Sequence, residues 1–184
     1  IREITVQANS HAAYLDNPCP ATMENAQYSI PFVMAAALVD GMCGPEQMQD
    51  EKLFDPTILD VARRISVVPE PAFDKAYPAT LKTRVQVLLK TGETVSAMRE
   101  KTRGDDNFPL SDAEIKEKFV WMSSNRLEPD QARIVMDAVW SLETRVDMAG
   151  IMEMLLVMCG DTQKNQNIKA DVFPTFIRNS LRNL

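Results

Sequence analysis

Residues 20–41, PATMENAQYSIPFVMAAALVDG, put Pro31 inside a run that is otherwise apolar and helix-forming. Proline has no amide hydrogen and its ring clashes with the preceding turn, so it suits the first turn of a helix and breaks an interior. The run therefore cannot be one continuous helix. It predicts a helix over roughly residues 30–41 that begins near Ser29 or Ile30, with Ser29 as N-cap and Gly41 as C-cap. The Ser29 hydroxyl, the first-turn amides and the positive end of the helix dipole would then converge on one spot. Such a spot favours an anion such as a carboxylate, with Tyr28 beside it. The same residues also support a plainer arrangement, in which Ser29 only caps its own helix and Tyr28 packs.

Around that stretch, other local signals lay out the chain. IREITVQ alternates weakly, with Ile4 and Val6 on one face, and predicts a half-buried strand. Residues 8–22, with Asn17, Pro18 and Pro20, read as loop. In LFDPTILDVARRI, Asp55 is an N-cap and Pro56 a first helical residue. SVVPEPAFDKAYPAT reads as a short strand and a proline-punctuated loop. Val85, Val87 and Leu89 alternate before a turn at Thr91 and Gly92, which predicts a hairpin. From there the character changes. Ser111 and Glu114 form a capping box, and helices are predicted over 111–122, 129–142 and 147–158, with a short one in FPTFIRNSLRNL after a polar tail. Ile134, Val135, Ala138 and Leu142 are the expected apolar stripe of the second of these. The methionines fall mostly at helical spacing and are expected in the core. The fold class is therefore α+β. A small antiparallel-sheet domain with helices covers residues 1–110, and 111–184 are helices that dock on a body absent from this chain. Because Ile1 opens in mid-strand, the chain is expected to be the C-terminal part of a longer protein.

Composition narrows the function. With 45% apolar and 25% charged residues the chain reads as an ordinary globular protein. A net charge of −6 argues against a nucleic-acid partner, and no apolar run is long enough for a membrane span. Cys19, Cys43 and Cys159 lack metal-ligand spacing, and the single histidine, His11, has no sequence neighbour to complete a triad. No metal and no cofactor are expected, and the cysteines suit a reducing, cytoplasmic setting. Arg63 and Arg64 could clamp a carboxylate but sit at a helix end, where solvated cations are common. No phosphate-binding loop, dinucleotide fingerprint or nucleophile elbow is present.

Taken in order, several stretches resemble one family. These are IREITVQ, PATMENAQYSIPFVMAAALVDG, DPTILDVARRISVVPEPAF, VQVLLKTGETVS, RGDDNFPLSDAEIKEKF and ARIVMDAVWSLETRVDM. Together they resemble the C-terminal half of the MmgE/PrpD family over roughly residues 1–158. That family includes 2-methylcitrate dehydratase, cis-aconitate decarboxylase and iminodisuccinate epimerase. The resemblance implies a large helical domain, an α+β lid and a homodimer. It also implies cofactor-independent proton abstraction and elimination on di- and tricarboxylic acids, with most acid-base residues in an N-terminal helical domain of the same protein. It directs attention to Gln27, Ser29 and Phe32 as substrate-binding residues and to Tyr28 as a catalytic one. Two departures stand out. Phe32 lies where relatives carry Tyr, so a hydroxyl is missing, and Tyr28 stands where relatives often carry His. Either Tyr28 takes over the polar role, or the activity differs from dehydration and decarboxylation. The alternative function is a non-catalytic subunit or interaction module that keeps the lid fold.

Overall fold

The computed structural model describes residues 1–124, 126–144 and 148–156. The chain divides into two compact units, Ile1–Pro109 and the residues from Leu110 onward.

The first unit is built on a four-stranded sheet of order β2-β1-β3-β4, from β1 (Glu3–Ala8), β2 (Ile65–Pro69), β3 (Thr83–Leu88) and β4 (Thr94–Arg99). The sheet is mixed, not purely antiparallel as expected: β1 pairs parallel with β2 and antiparallel with β3, and β3 pairs antiparallel with β4. The reason lies in the connections. Two strands can lie parallel only when a long crossover separates them, and the residues between Ala8 and Ile65 supply one. The hairpin needs only Gly92, whose φ of 91° an L side chain rarely adopts.

The crossover carries α1 (Met23–Gln27), α2 (Ile30–Asp40), α3 (Asp50–Leu53) and α4 (Pro56–Ala62), with 3-10 turns at Ala12–Tyr14 and Pro45–Met48. A single turn, α5 (Pro71–Asp74), follows β2. Alternate residues of β1, Ile4 and Val6, meet Phe32, Ala35 and Ala36 of α2 and Ile58 and Ala62 of α4 in one core cluster. Small alanines let the helices lie close to the sheet, and Phe32 fills the space between. At the C-terminus of α2, Asp40 accepts from Gln47 (3.0 Å) and pairs with Lys52 at 2.7 Å, and Gly41 ends the helix at φ 75°.

The second unit contains α6 (Asp112–Ser123), α7 (Pro129–Trp140), a 3-10 turn at Leu142–Thr144 and α8 (Ala149–Leu156). The Ser111 capping box forms as expected. The apolar stripe of α7 does not: Ala132, Val135 and Ala138 are buried, while Ile134 and Leu142 are exposed. Positions 132, 135 and 138 share a face, and Ile134 lies about 100° around the helix from Val135. Met23, Met122, Met148 and Met152 are likewise exposed instead of in the core. The predicted terminal helix, the polar tail and Cys159 lie outside the described residues. Among the described residues no helix is long and apolar enough to cross a membrane.

Candidate functional site

Helix α1 and helix α2 meet at a corner, and every predicted site residue sits on it. Thr22 caps α1 by accepting from Asn25 N (3.3 Å), and the short helix closes as Tyr28 N donates to Asn25 O at 3.2 Å. One residue on, the backbone is extended at Ser29 and α2 begins at Ile30 with Pro31 in its first turn, as Pro31 dictates.

Burial splits the four residues into two pairs. Gln27 and Tyr28 are exposed, Tyr28 at 68%, whereas Ser29 and Phe32 are 1% and 0% exposed. The Ser29 hydroxyl is committed in both directions. It accepts from Phe32 N (3.0 Å) and donates to Asn17 O across the corner.

The donor inventory corrects the anion-site expectation. Ile30 N donates to Leu15 O at 2.9 Å, Pro31 has no N–H, Phe32 N donates to Ser29 Oγ and Val33 N donates to Ser29 O at 3.0 Å. No first-turn amide remains for a guest. Proline and the neighbouring loop have consumed the donors that an anion would need. The local charge points the same way. Between Arg2 and Lys52 the sequence has neither lysine nor arginine, while Asp16 and Glu24 flank the corner. Glu24 is held below the usual carboxylate range by a backbone hydrogen bond and by the Thr22 hydroxyl, so it is anionic at neutral pH. A carboxylate guest at this corner needs its cations from outside this segment.

The remaining candidates resolve clearly. Arg64 donates to Asp60 and to Ile1 O (3.1 Å), so it is tied into the fold and is not a free clamp. His11 is exposed and its ring lies 5.3 Å from that of Tyr77. The fold also brings Asp74 to this place, a juxtaposition that sequence distance hides. Asp74 accepts from Ser10 N and Ser10 Oγ, both at 2.7 Å, and those bonds, with the nearby His11, hold its carboxyl below the usual range. Because Asp74 bonds Ser10 and not the imidazole, the trio lacks the relay of a hydrolytic triad. Cys19 is exposed, and burial together with Asp40 pushes the Cys43 thiol up to about 11, which keeps it protonated and unreactive. Among the described residues no three His, Cys, Asp or Glu side chains are placed to hold a metal ion. A shallow concavity elsewhere in the first unit is lined by Pro78, Leu81, Glu100, Lys101 and Asp105, none of them a predicted site residue.

Comparison with known proteins gives the fold its context. Over 161 residues the chain is 26% identical to a cis-aconitate decarboxylase of Aspergillus terreus, covering 84% of this chain and 33% of that protein. A cis-aconitate decarboxylase-like protein of Aspergillus oryzae is 27% identical over 160 residues, again 84% of this chain and 33% of the relative. The mouse cis-aconitate decarboxylase is 22% identical over 142 residues, with 77% and 29% covered. The chain thus spans about a third of the length of the curated relatives it matches. Residues 1–142 match the model of the MmgE/PrpD C-terminal domain, and the chain belongs to the MmgE/PrpD family.

Proposed function

We propose that this chain supplies the lid and the following helices of a lyase acting on a small di- or tricarboxylic acid, with cis-aconitate the first substrate to test. One observation carries this: the family match across residues 1–142, joined by relatives named as cis-aconitate decarboxylases. The chemistry is general acid-base transfer at a carbon beside a carboxylate, without metal or organic cofactor. In a decarboxylation, the carbon that loses CO2 takes up a proton, and a phenol can deliver it. Tyr28 has its phenol exposed at the corner and is assigned that role, while the Gln27 amide binds a substrate carboxylate. Ser29 and Phe32 act from beneath. The hydroxyl ties the loop at Asn17 to the first turn of α2, and the ring anchors that turn in the core. Because residues 3–51 hold no lysine or arginine, the positive charge that binds the acid comes from an N-terminal helical domain of the same protein. That domain closes on the lid to exclude water. The active protein is a homodimer.

The test uses full-length protein with cis-aconitate, 2-methylcitrate and iminodisuccinate, following CO2 release and alkene absorbance. Conversion of one acid is expected. Tyr28→Phe should lower turnover about tenfold, equivalent to about 1.4 kcal/mol of barrier. Unchanged kinetics would remove Tyr28 from the mechanism. The lyase assignment fails if a folded full-length protein converts none of these acids. A single observation favours a second reading, a non-catalytic interaction module: Phe32 has no hydroxyl and is fully buried.

A further inference from the structure

With the first-turn amides of α2 consumed, a guest at the corner depends on donors from elsewhere. Three exposed side-chain amides belong to the corner and to the loop tied to it, those of Asn17, Asn25 and Gln27. They differ in how they are held. Among the described residues the side chains of Asn25 and Gln27 make no hydrogen bond, so each loses rotamer freedom on meeting a guest. Asn17 is fixed beforehand.

Two bonds do this. Asn17 Oδ1 accepts from Cys19 N at 3.0 Å, which closes an Asx turn, and the Asn17 carbonyl accepts from the buried Ser29 hydroxyl. The first bond assigns the two ends of the amide. Oδ1 is committed to the turn, so Nδ2 is the end left over, and its two N–H groups bond nothing among the described residues. The second bond places the residue, because Ser29 directly follows Tyr28 in the chain. Nδ2 can only donate, so this end of the side chain suits an oxyanion and has nothing to offer an ammonium group.

We propose that Asn17 is a specificity-determining residue of this site: its Nδ2 group donates to a carboxylate of the acid on which Tyr28 acts. The turn at Cys19 and the tie to Ser29 hold that donor in place before the acid arrives, so little ordering is needed on binding. The assignment rests on the lyase reading of the corner and adds to it a pre-oriented donor for the acid's oxygen atoms. A neutral donor of this kind complements the cations that the rest of the protein brings. Its contact is made alike to the bound acid and to the transition state, so its loss moves KM and leaves kcat.

Asn17→Asp in the full-length protein tests it. A carboxylate still accepts from Cys19 N, so the turn survives, whereas the donating N–H groups give way to an anionic oxygen that repels the acid. For the acid that the parent converts, KM should rise about tenfold or more, with kcat within about threefold. The dissociation constant of propane-1,2,3-tricarboxylate, a saturated probe read by isothermal titration calorimetry, should rise by a similar factor. A smaller rise in both quantities, or a fall in kcat at unchanged KM, would overturn the proposal and leave the lyase reading standing. A parent that neither converts nor binds any of the acids would remove both. Circular dichroism checks folding. If Asn17→Asp does not fold, Asn17→Ser decides, since its hydroxyl can also close the turn; its KM should rise about threefold or more, and an unchanged KM overturns the proposal. If neither variant folds, Asn17 serves the loop alone and the proposal falls.

Discussion

Two serine-capped helices in this molecule use the same chemistry under opposite conditions. Ser29 opens α2 and Ser111 opens α6, and each hydroxyl accepts from the backbone N–H three residues on, at 3.0 Å and 3.4 Å. Ser29 is buried, and its proton goes to the Asn17 carbonyl of a distant loop. Ser111 is exposed, and its proton goes to Glu114 Oε2 within its own first turn. The local motif is therefore equally readable in both places, but its worth differs. Water can replace a partner at Ser111 and cannot reach Ser29, so only at Ser29 does loss of the hydroxyl strand a buried group, the Phe32 amide.

The comparison can be attacked from several sides, beginning with the core beneath the buried cap. Phe32→Ala should destabilise the first unit by about 3–5 kcal/mol, because Phe32 lies against the sheet with no exposed surface. Chemical denaturation followed by circular dichroism measures it, and a cost below about 1 kcal/mol would mean that the site collapses freely. Ser29→Ala should cost about 2 kcal/mol, since the buried Phe32 amide loses its acceptor and the tie to the Asn17 carbonyl is lost with it. Ser111→Ala should cost about 1 kcal/mol, the ordinary loss of an exposed cap. Both tryptophans, Trp121 and Trp140, lie in the second unit, so tryptophan fluorescence follows the Ser111 substitution directly. Equal costs at the two serines would break the distinction.

The smallest effect is expected at a third cap, where the group is charged. Asp55 caps α4 by accepting from Thr57 N at 2.8 Å, and that bond, ahead of the smaller causes, holds its pKa below the usual aspartate value. A depressed folded-state pKa means that the stabilisation is fully present above the unfolded value, about 3.9, and is lost as pH falls through the folded one. Asp55→Asn should flatten this part of the acid side of the stability profile while keeping the cap at neutral pH. A profile identical to the parent's below about pH 4 would show that the bond does not discriminate between charge states.

What was legible in the sequence was local. Pro31, Asp55 with Pro56, Ser111 with Glu114, and the glycines at 41 and 92 each constrain the backbone within a few residues, and the structure follows them. The four residues predicted for the site, Gln27, Tyr28, Ser29 and Phe32, lie on one corner because they fall within six positions of one another. What the sequence hid depends on distance. The parallel pairing of β1 with β2 follows from a long crossover, and Ser10 meets Asp74 only through that pairing. Helix α1 escaped notice because it is only five residues long and its Thr22 cap lies among loop-forming residues. The fate of the first-turn amides was equally hidden. Leu15 and Asn17 come from another loop, and no periodicity announces that they will take up the donor at Ile30 and the hydroxyl at Ser29.

The double use of the Ser29 hydroxyl has a mechanical consequence. A single oxygen links the strand-side loop at Asn17 to the first turn of α2, and Leu15 reinforces the joint through Ile30. Tyr28 is thus mounted on a welded joint, not on a swinging arm. Its backbone shifts only when the loop and the first turn of α2 travel with it as one piece.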